Sequence, residues 1–316
     1  MNSLYPPLEA YVEHRISVGQ GYELYVEECG NPEGRPALFL HGGPGSGCTL
    51  DHRRYFDPGR YRIILMDQRG SGRSTPRGGV ESNTTWGLLQ DLEVVRRRLG
   101  ADRWLLFGGS WGATLALVYA QTHPDAVAGM VLRGIFLARA VDLRWFFGAE
   151  GVARVLPEAW EAFCGAIPAA ERGDPVRAYH RRVHGDDPVV ALDWARAWSA
   201  WTDRVVTWNL TPAPQGQETE QDPQRQLAKV RIETHYALHR YFIAEHPILE
   251  RVDTLPDVPI SIVHGRRDLT CALEASWTLH RAVPGSRLVV VPDAGHIASD
   301  PAMIDALVGE TDRLSG

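Results

Sequence analysis

Three residues that lie far apart in this chain could together activate a serine for nucleophilic attack. Ser110 lies in the segment 108–112, whose sequence GGSWG fits the pattern G-x-S-x-G. Asp268 and His296 follow downstream, each shortly after an apolar run. A serine hydroxyl needs a nearby imidazole as base, and the imidazole needs an acid that orients it. The chain order serine, acid, histidine therefore predicts Ser110 as nucleophile, Asp268 as orienting acid and His296 as base.

The elements predicted around Ser110 favour this interpretation over a chance match. Residues 104–107 are an apolar run typical of a buried strand, and residues 113–120 are typical of a buried helix that ends before Pro124. A serine in the tight turn between a strand and a helix projects its hydroxyl into a pocket. The glycines on either side permit the cramped backbone of such a turn.

Asp268 and His296 are predicted on loops that follow two further strands. The strand candidates are residues 258–263 and 288–291. Parallel sheets build their sites at the carboxyl ends of strands, so the two side chains are expected at one edge. Asp293 is a rival acid, but it lies only three residues before His296 on the same loop. We favour Asp268 because it arrives from a separate strand.

A glycine-rich loop could supply the donors that an acyl-transfer reaction needs. The sequence HGGPG at 41–45 follows the predicted strand 37–40. Its glycines expose backbone N–H groups that could stabilise a developing oxyanion. We predict an oxyanion hole formed by the N–H groups of Gly43 and Trp111. Phosphate binding is disfavoured because the loop matches neither of the glycine-rich phosphate-binding patterns.

Alternating strands and helices predict an α/β fold with a doubly wound, mostly parallel sheet. An antiparallel hairpin is predicted at 16–26, and a helix at 83–99. The stretch from about 135 to 246 differs, since it is rich in tryptophan, has mostly helical periodicity, and contains a polar loop at 212–223. We predict a helical lid at 135–246 inserted into a catalytic core formed by residues 1–134 and 247–316.

Composition limits the classes of partner. The net charge is −6 and there is no long Lys/Arg block, so nucleic-acid binding is not expected. No apolar run is long enough to span a membrane, and no secretory leader is recognised. The four cysteines are scattered, which favours a reducing compartment and a cytoplasmic location. Oligomeric state is left open.

A metal site is also not expected. His235 and His239 lie four residues apart on a predicted helix, which is a spacing that metal ligands use. However, the chain has no H-E-x-x-H pattern and no evident carboxylate partner for them. We therefore predict neither a metal nor a cofactor.

Together these residues resemble the proline iminopeptidase family, which are serine aminopeptidases of the α/β-hydrolase superfamily. The matching segments are HGGPG at 41–45, DQRGSGRS at 67–74, GGSWG at 108–112, LRGIF at 132–136, HGRRD at 264–268 and PDAGH at 292–296. The resemblance implies an α/β-hydrolase fold with an inserted helical lid. It also implies hydrolysis of an N-terminal proline from short peptides with a free N-terminus, through an acyl-enzyme and without a metal.

The resemblance further implies how substrate is recognised. Acidic lid residues bind the free amine in this family, and Glu233 matches one of them. The other family glutamate is replaced here by Thr202, with Asp203 as the nearest acid. Phe136 and Phe147 match aromatic positions around the proline ring. An aromatic that usually follows a His-Tyr pair is Ala237 here, which leaves the strictness for proline open.

Two alternatives remain. A carboxylesterase or amidase could use the same three catalytic residues, and it would not prefer a free amine over an acetylated one. A ligand receptor built on a hydrolase scaffold could keep these residues without turnover. Epoxide hydrolases and dehalogenases are disfavoured, because their chemistry needs an aspartate where this chain has Ser110.

Overall fold

An eight-stranded sheet forms the centre of the computed structural model, which describes residues 2–208 and 222–316. The strands are β1 (Ala10–Gly19), β2 (Tyr22–Gly30), β3 (Arg35–Leu40), β4 (Tyr61–Met66), β5 (Trp104–Gly109), β6 (Val127–Arg133), β7 (Ile260–Gly265) and β8 (Arg287–Val291). Their order in the sheet is β1-β2-β4-β3-β5-β6-β7-β8. β1 and β2 form the predicted hairpin and are antiparallel to their neighbours, whereas β3 to β8 are parallel.

Helices follow most of the parallel strands. They are α1 (Thr85–Arg98), α2 (Trp111–Thr122), α3 (Ala140–Phe147), α4 (Pro157–Gly165), α5 (Pro175–Val183), α6 (Pro188–Val206), α7 (Pro223–Leu238), α8 (Leu273–Ala282) and α9 (Pro301–Arg313). Helix α1 lies within the range predicted for it. The side chain of Thr84 caps its first turn by accepting a hydrogen bond from the Gly87 N–H.

The central strands are buried on both faces, which explains their continuous apolar sequences. In β3, Leu38 and Leu40 belong to one buried cluster with residues of α1, α2 and α8. Ala37 and Phe39 point to the other face, where they share a cluster with residues of α9. Successive strand side chains alternate between faces, so each strand contributes to both clusters. This packing holds the carboxyl ends of β3 to β8 in fixed positions along one edge.

Helices α3 to α7 lie between β6 and β7 in the chain and have a buried cluster of their own. Its largest members are aromatic, including Phe163, Tyr179, Trp198 and Trp201. Phe163 and Tyr179 stack with their ring centroids 4.5 Å apart. Such aromatic pairs add stability beyond the burial of their area. We propose that these helices are the lid predicted at 135–246, on a core of residues 1–134 and 247–316.

Helices α6 and α7 begin in the same way. Asp187 and Asp222 accept hydrogen bonds from the first-turn N–H groups, and a proline follows each of them. Aspartate caps and prolines at the first helical position are both favoured at helix starts. The polar loop predicted at 212–223 lies outside the described residues up to position 221. Within the described ranges, no helix combines the length and apolar character that crossing a bilayer requires.

Candidate active site

Ser110 lies in a sharp turn between β5 and α2. Its backbone has φ 56° and ψ −121°, a conformation that residues other than glycine rarely adopt. Strain of this kind occurs at functional sites when surrounding structure enforces it. Here the Ser110 N–H donates to the Arg133 carbonyl oxygen at 2.9 Å, which ties the turn to the end of β6.

The flanking glycines of the pattern are required by close packing. A Cβ on Gly108 would overlap the carbonyl oxygen of Gly112, across the turn. A Cβ on Gly112 would overlap the carbonyl oxygen of Leu40, at the end of β3. A side chain at position 108 would therefore prevent the turn from closing, and one at position 112 would prevent it from packing against β3. The G-x-S-x-G spacing is thus explained by contacts on both sides of Ser110.

Asp268 and His296 are brought together from the loops after β7 and β8. The Nδ1 atom of His296 lies 2.7 Å from Oδ2 of Asp268. The other carboxylate oxygen, Oδ1, accepts a hydrogen bond from the Cys271 N–H at 2.9 Å. Burial alone would raise the pKa of Asp268, but His296, His264 and the Cys271 N–H together outweigh it, so this pKa lies below its usual value. If Asp268 is ionised, Nδ1 of His296 donates its proton to this carboxylate. Nε2 is then the nitrogen of His296 that can accept a proton.

Asp293, the rival acid, pairs with Arg267 and not with His296. This pair lies at the surface, where 79% of the Asp293 side chain is exposed. Asp268, in contrast, has 1% of its side chain exposed. A buried carboxylate is shielded from solvent and can hold one imidazole in a fixed orientation. The geometry therefore favours Asp268 as the partner of the histidine.

Ser110 and His296 line one cavity of about 1040 Å³ between the strand ends and helices α3, α6 and α7. Cys271 lines it too, with Sγ 4.0 Å from the Ser110 Oγ. Burial raises the pKa of this thiol well above its usual value. Because the thiolate is the reactive form of cysteine, this burial disfavours Cys271 as a nucleophile.

The two predicted oxyanion donors belong to different elements on either side of Ser110. Gly43 lines the cavity, and a Cβ on the preceding Gly42 would lie 3.6 Å from Cβ of Ser110, so this loop runs beside the serine. Trp111 is the first residue of α2. The first N–H groups of a helix lack partners within the helix, and its dipole favours negative charge there. Both features suit an oxyanion next to Ser110.

The carboxylate of Glu233 faces this cavity from helix α7. Glu233 has 12% of its side chain exposed. Its Oε2 accepts a hydrogen bond from the Trp198 Nε1–H at 2.9 Å, and its Oε1 lies 3.8 Å from Lys229 Nζ. Burial raises the pKa of Glu233 above its usual value, since a charged carboxylate is poorly solvated there. A cationic ligand group would restore the favourable environment of the charge.

The remaining predicted substrate contacts also line this cavity. Thr202 and Asp203 reach it from α6, and the Thr202 hydroxyl donates to the Ser199 carbonyl at 3.1 Å. Phe136 packs edge-on against Tyr241, with centroids 4.7 Å apart. Phe147 stacks on the indole of Trp198, with centroids 5.0 Å apart. The cavity wall thus combines aromatic rings with acidic side chains, and basic side chains such as Arg133 and Lys229 line it as well.

Sequence reasoning missed several cavity residues, including Phe146, Trp198 and Tyr241. Tyr241 follows α7 in a left-handed conformation, with φ 55°. The sequence around Tyr241 has no spacing pattern that would predict a place in the cavity. Only the structure shows its positive φ, which is unusual for a residue other than glycine. Ala237 belongs to the buried cluster of helices α3 to α7.

The two histidines with metal-like spacing bind backbone groups. A ring nitrogen of His235 lies 3.0 Å from the Asn83 carbonyl oxygen, and one of His239 lies 2.8 Å from the His235 carbonyl oxygen. Among the described residues, no group of three or more His, Cys, Asp or Glu side chains is arranged to hold a metal ion.

Comparison with known proteins places the chain in a family. Residues 36–302 match the family described as alpha/beta hydrolase fold. A proline iminopeptidase from Xanthomonas citri is 46% identical over 316 residues, which cover 100% of each chain. One from Arabidopsis thaliana is 44% identical over 314 residues, covering 99% of this chain and 82% of its own. The chain belongs to the proline iminopeptidase family.

Solved structures agree with this fold. A proline iminopeptidase-related protein from Thermus thermophilus superimposes with a TM-score of 0.63 at 24% identity, over 96% of this chain and 98% of its own. An esterase from Rhodococcus sp. ECU1013 gives a TM-score of 0.56 at 18% identity, over 98% of each chain. At these identities the likeness concerns the fold alone. The predicted α/β-hydrolase fold class and family resemblance are confirmed.

Proposed function

We propose that this protein is a serine aminopeptidase that removes the N-terminal residue, preferably proline, from short peptides with a free N-terminus. The observation that carries the proposal is the placement of the Glu233 carboxylate in the same cavity as Ser110. A buried ammonium group needs an anionic partner, and a buried carboxylate needs a cation. A substrate whose N-terminus meets Glu233 would present its first carbonyl group to the serine.

The first half of the proposed reaction forms an acyl-enzyme. The Ser110 Oγ bonds to the carbonyl carbon of the first residue while His296 takes the hydroxyl proton. The carbonyl π electrons move onto oxygen, which receives hydrogen bonds from the Gly43 and Trp111 N–H groups. Collapse of this intermediate breaks the C–N bond, and His296 gives its proton to the leaving amine. Asp268 stabilises the imidazolium and does not itself become protonated.

The second half releases the amino acid. Water attacks the ester carbonyl while His296 takes a proton from it, and the oxyanion forms again between the same two N–H groups. When the ester C–O bond breaks, the proton returns to the Ser110 oxygen. The free residue then leaves, and the enzyme is ready for another peptide.

The preference of the pocket for particular side chains follows from its walls. The aromatic rings of Phe136 and Phe147 offer apolar faces to a small ring such as that of proline. Asp203 is another acid on the wall of the same cavity. We propose that Glu233 is the main partner of the substrate amine and that Asp203 contributes where the family has a glutamate one residue earlier.

The test compares matched substrates. Proline p-nitroanilide, alanine p-nitroanilide and the N-acetylated form of each are supplied to the purified protein. We expect the free proline compound to have the highest kcat/KM, and both acetylated forms to be cleaved at least about tenfold more slowly, because the ammonium contact is lost. Equal rates on free and acetylated forms would instead identify an amidase or esterase. Absence of turnover on all four would favour the receptor alternative.

Substitution of the nucleophile completes this test. Ser110→Ala should abolish turnover while leaving the thermal unfolding temperature close to that of the wild type. Ser299→Ala is the matched control, since this serine lines the same cavity and has no role in the proposed reaction. Retained activity in Ser110→Ala would mean that the nucleophile is a different residue.

A further inference from the structure

A buried glutamine lies behind the two segments that carry the proposed oxyanion donors. Gln68 follows β4 and is 2% exposed. Its side-chain Nε2–H donates to the His41 carbonyl oxygen at 2.9 Å. Its Oε1 accepts a hydrogen bond from the indole Nε1–H of Trp111 at 2.9 Å. One amide group therefore joins the glycine-rich loop to the first residue of α2.

The backbone of Gln68 makes a third contact, which fixes the protonation state of His41. The Gln68 N–H donates to Nε2 of His41 at 3.0 Å, so Nε2 carries no proton. Burial lowers the pKa of His41, which keeps the ring neutral. The proton of a neutral ring with a free Nε2 is on Nδ1. Nδ1 lies 2.9 Å from the Gly42 carbonyl oxygen and therefore donates to it.

This last hydrogen bond has a consequence for the oxyanion hole. The Gly42 carbonyl and the Gly43 N–H belong to the same planar trans peptide, in which they point to opposite sides. Holding the carbonyl oxygen against His41 therefore fixes the direction of the Gly43 N–H. The Ser46 N–H makes a longer bond to the same oxygen, at 3.5 Å. Both hydrogen bonds to the Gly42–Gly43 peptide are thus made to its carbonyl oxygen, and its N–H points in the opposite direction.

We propose that Gln68 is a positioning residue that sets the two halves of the oxyanion hole relative to each other, through His41 and the Trp111 indole. The inference rests on the oxyanion role of Gly43 and Trp111 in the proposed function. Both side-chain atoms of Gln68 bond to these two segments, and the residue lies outside the substrate cavity. An amide that served packing alone could be replaced by an apolar side chain of similar size without effect on the reaction.

Gln68→Met tests the inference. Methionine keeps the length of the side chain and removes both side-chain hydrogen bonds, while the backbone bond to His41 remains. Gln121→Met is the matched control. Gln121 is 4% exposed, and its side-chain amide likewise makes two hydrogen bonds, which its Nε2 donates to the backbone carbonyls of Ile248 and Arg251. Thermal unfolding of both variants measures the structural cost of the change.

The decisive measurement separates ground-state binding from the tetrahedral intermediate. Prolinal, an aldehyde, bonds to the Ser110 Oγ; the carbonyl π bond breaks, the hydroxyl proton passes to His296, and the oxygen enters the oxyanion hole. Prolinol binds without this addition. In Gln68→Met we expect kcat on proline p-nitroanilide and the affinity for prolinal to fall about tenfold or more, since misplaced oxyanion donors act on the transition state. Prolinol affinity should stay within about twofold of the wild type.

Gln121→Met should leave all three quantities close to wild type. Equal behaviour of the two variants, or an equal loss of prolinal and prolinol affinity in Gln68→Met, would overturn the inference. Hydrolysis of p-nitrophenyl acetate by the same nucleophile distinguishes this failure from failure of the proposed function. If the wild type cleaves the ester but releases no proline, the proposed function fails, and the effect of Gln68→Met on ester hydrolysis still tests the positioning role.

Trp111→Phe gives a second approach. It removes the indole N–H but keeps the backbone N–H of this residue. On its own it should lower kcat and the affinity for prolinal while prolinol affinity stays within about twofold of the wild type, so it tests the inference even if Gln68→Met does not fold. An equal loss of prolinal and prolinol affinity, or no loss of either, would overturn the inference. Because the two substitutions break the same hydrogen bond, their effects on kcat should overlap. We expect the double variant to lose much less than the product of the two single losses. Fully multiplicative losses would show that Gln68 and the indole act independently.

Discussion

Replacing Glu233 by glutamine should selectively weaken the recognition of a free N-terminus. Glutamine has nearly the same shape as glutamate, and its carbonyl oxygen can still accept the hydrogen bond from Trp198 Nε1, now 2.9 Å long. The substitution therefore removes the negative charge while leaving the packing of α6 on α7 in place. Any change in activity can then be assigned to the charge.

The size of the effect follows from the contact that is lost. A hydrogen bond to a charged group contributes about 1.5–3 kcal/mol. Since each ~1.4 kcal/mol is about tenfold, kcat/KM for proline p-nitroanilide should fall by roughly 10- to 100-fold. Lys229 Nζ lies 3.8 Å from Glu233 Oε1. Without the carboxylate, its charge would oppose the substrate ammonium, which favours the upper end of this range.

The assay compares this substrate with p-nitrophenyl acetate, which has no amine. Ester hydrolysis should change by no more than about twofold, because it uses the proposed catalytic residues but makes no contact between an amine and Glu233. Glu158→Gln on α4 is a suitable control, since its carboxylate is 68% exposed and pairs only distantly, at 3.9 Å, with Arg204. Equal losses on the amine and the ester, or no loss on either, would refute the assigned role of Glu233.

Two further predictions concern pH and stability. Because burial raises the pKa of Glu233, acidification should protonate this carboxylate earlier than an exposed one and weaken amine binding. On proline p-nitroanilide, kcat/KM should therefore fall more steeply on the acid side for the wild type than for Glu233→Gln, and pH profiles of identical shape would contradict this. Arg69→Met should lower the free energy of unfolding by about 3–5 kcal/mol, measured with urea, because it leaves a buried charge unpaired. The partner is Asp91, 1% exposed with Oδ2 2.6 Å from Arg69 Nε. Burial raises the pKa of Asp91 to about 6, so the loss should be smaller at pH 5 than at pH 8, and a pH-independent loss would argue against this pair as its source.

The parts of the site that follow from local spacing could be predicted from the sequence. Ser110 is predicted between a strand and a helix because short apolar runs flank it. Such runs are local features of the sequence and can be recognised without knowing the tertiary structure. Asp268 and His296 follow β7 and β8, so a parallel sheet brings them to one edge. Asp268 lies three residues after the end of β7 and His296 lies five residues after the end of β8, so short loops are enough to bring the two side chains into hydrogen-bond contact.

The parts that depend on how helices cross could not be predicted in this way. Trp198 contacts Glu233 because α6 packs against α7, and helical periodicity gives the faces of each helix but not their crossing. Gln68 and Trp111 lie 43 residues apart and meet only when β4 and α2 occupy neighbouring layers. A buried glutamine has no periodic signature. These contacts therefore required the three-dimensional structure.

The proposed division between chemistry and recognition has a physical basis in the fold. Ser110, Asp268 and His296 are held by turns at the ends of the central sheet, where burial on both faces prevents adjustment. Glu233 and Asp203 belong to helices that pack on each other through a separate aromatic cluster. Under the proposed function, a change at Thr202, where the resemblance implies a glutamate, would alter the cavity wall without moving the strand ends. Substrate preference would then shift in helices α6 and α7 while the proposed acyl-transfer geometry stays constant.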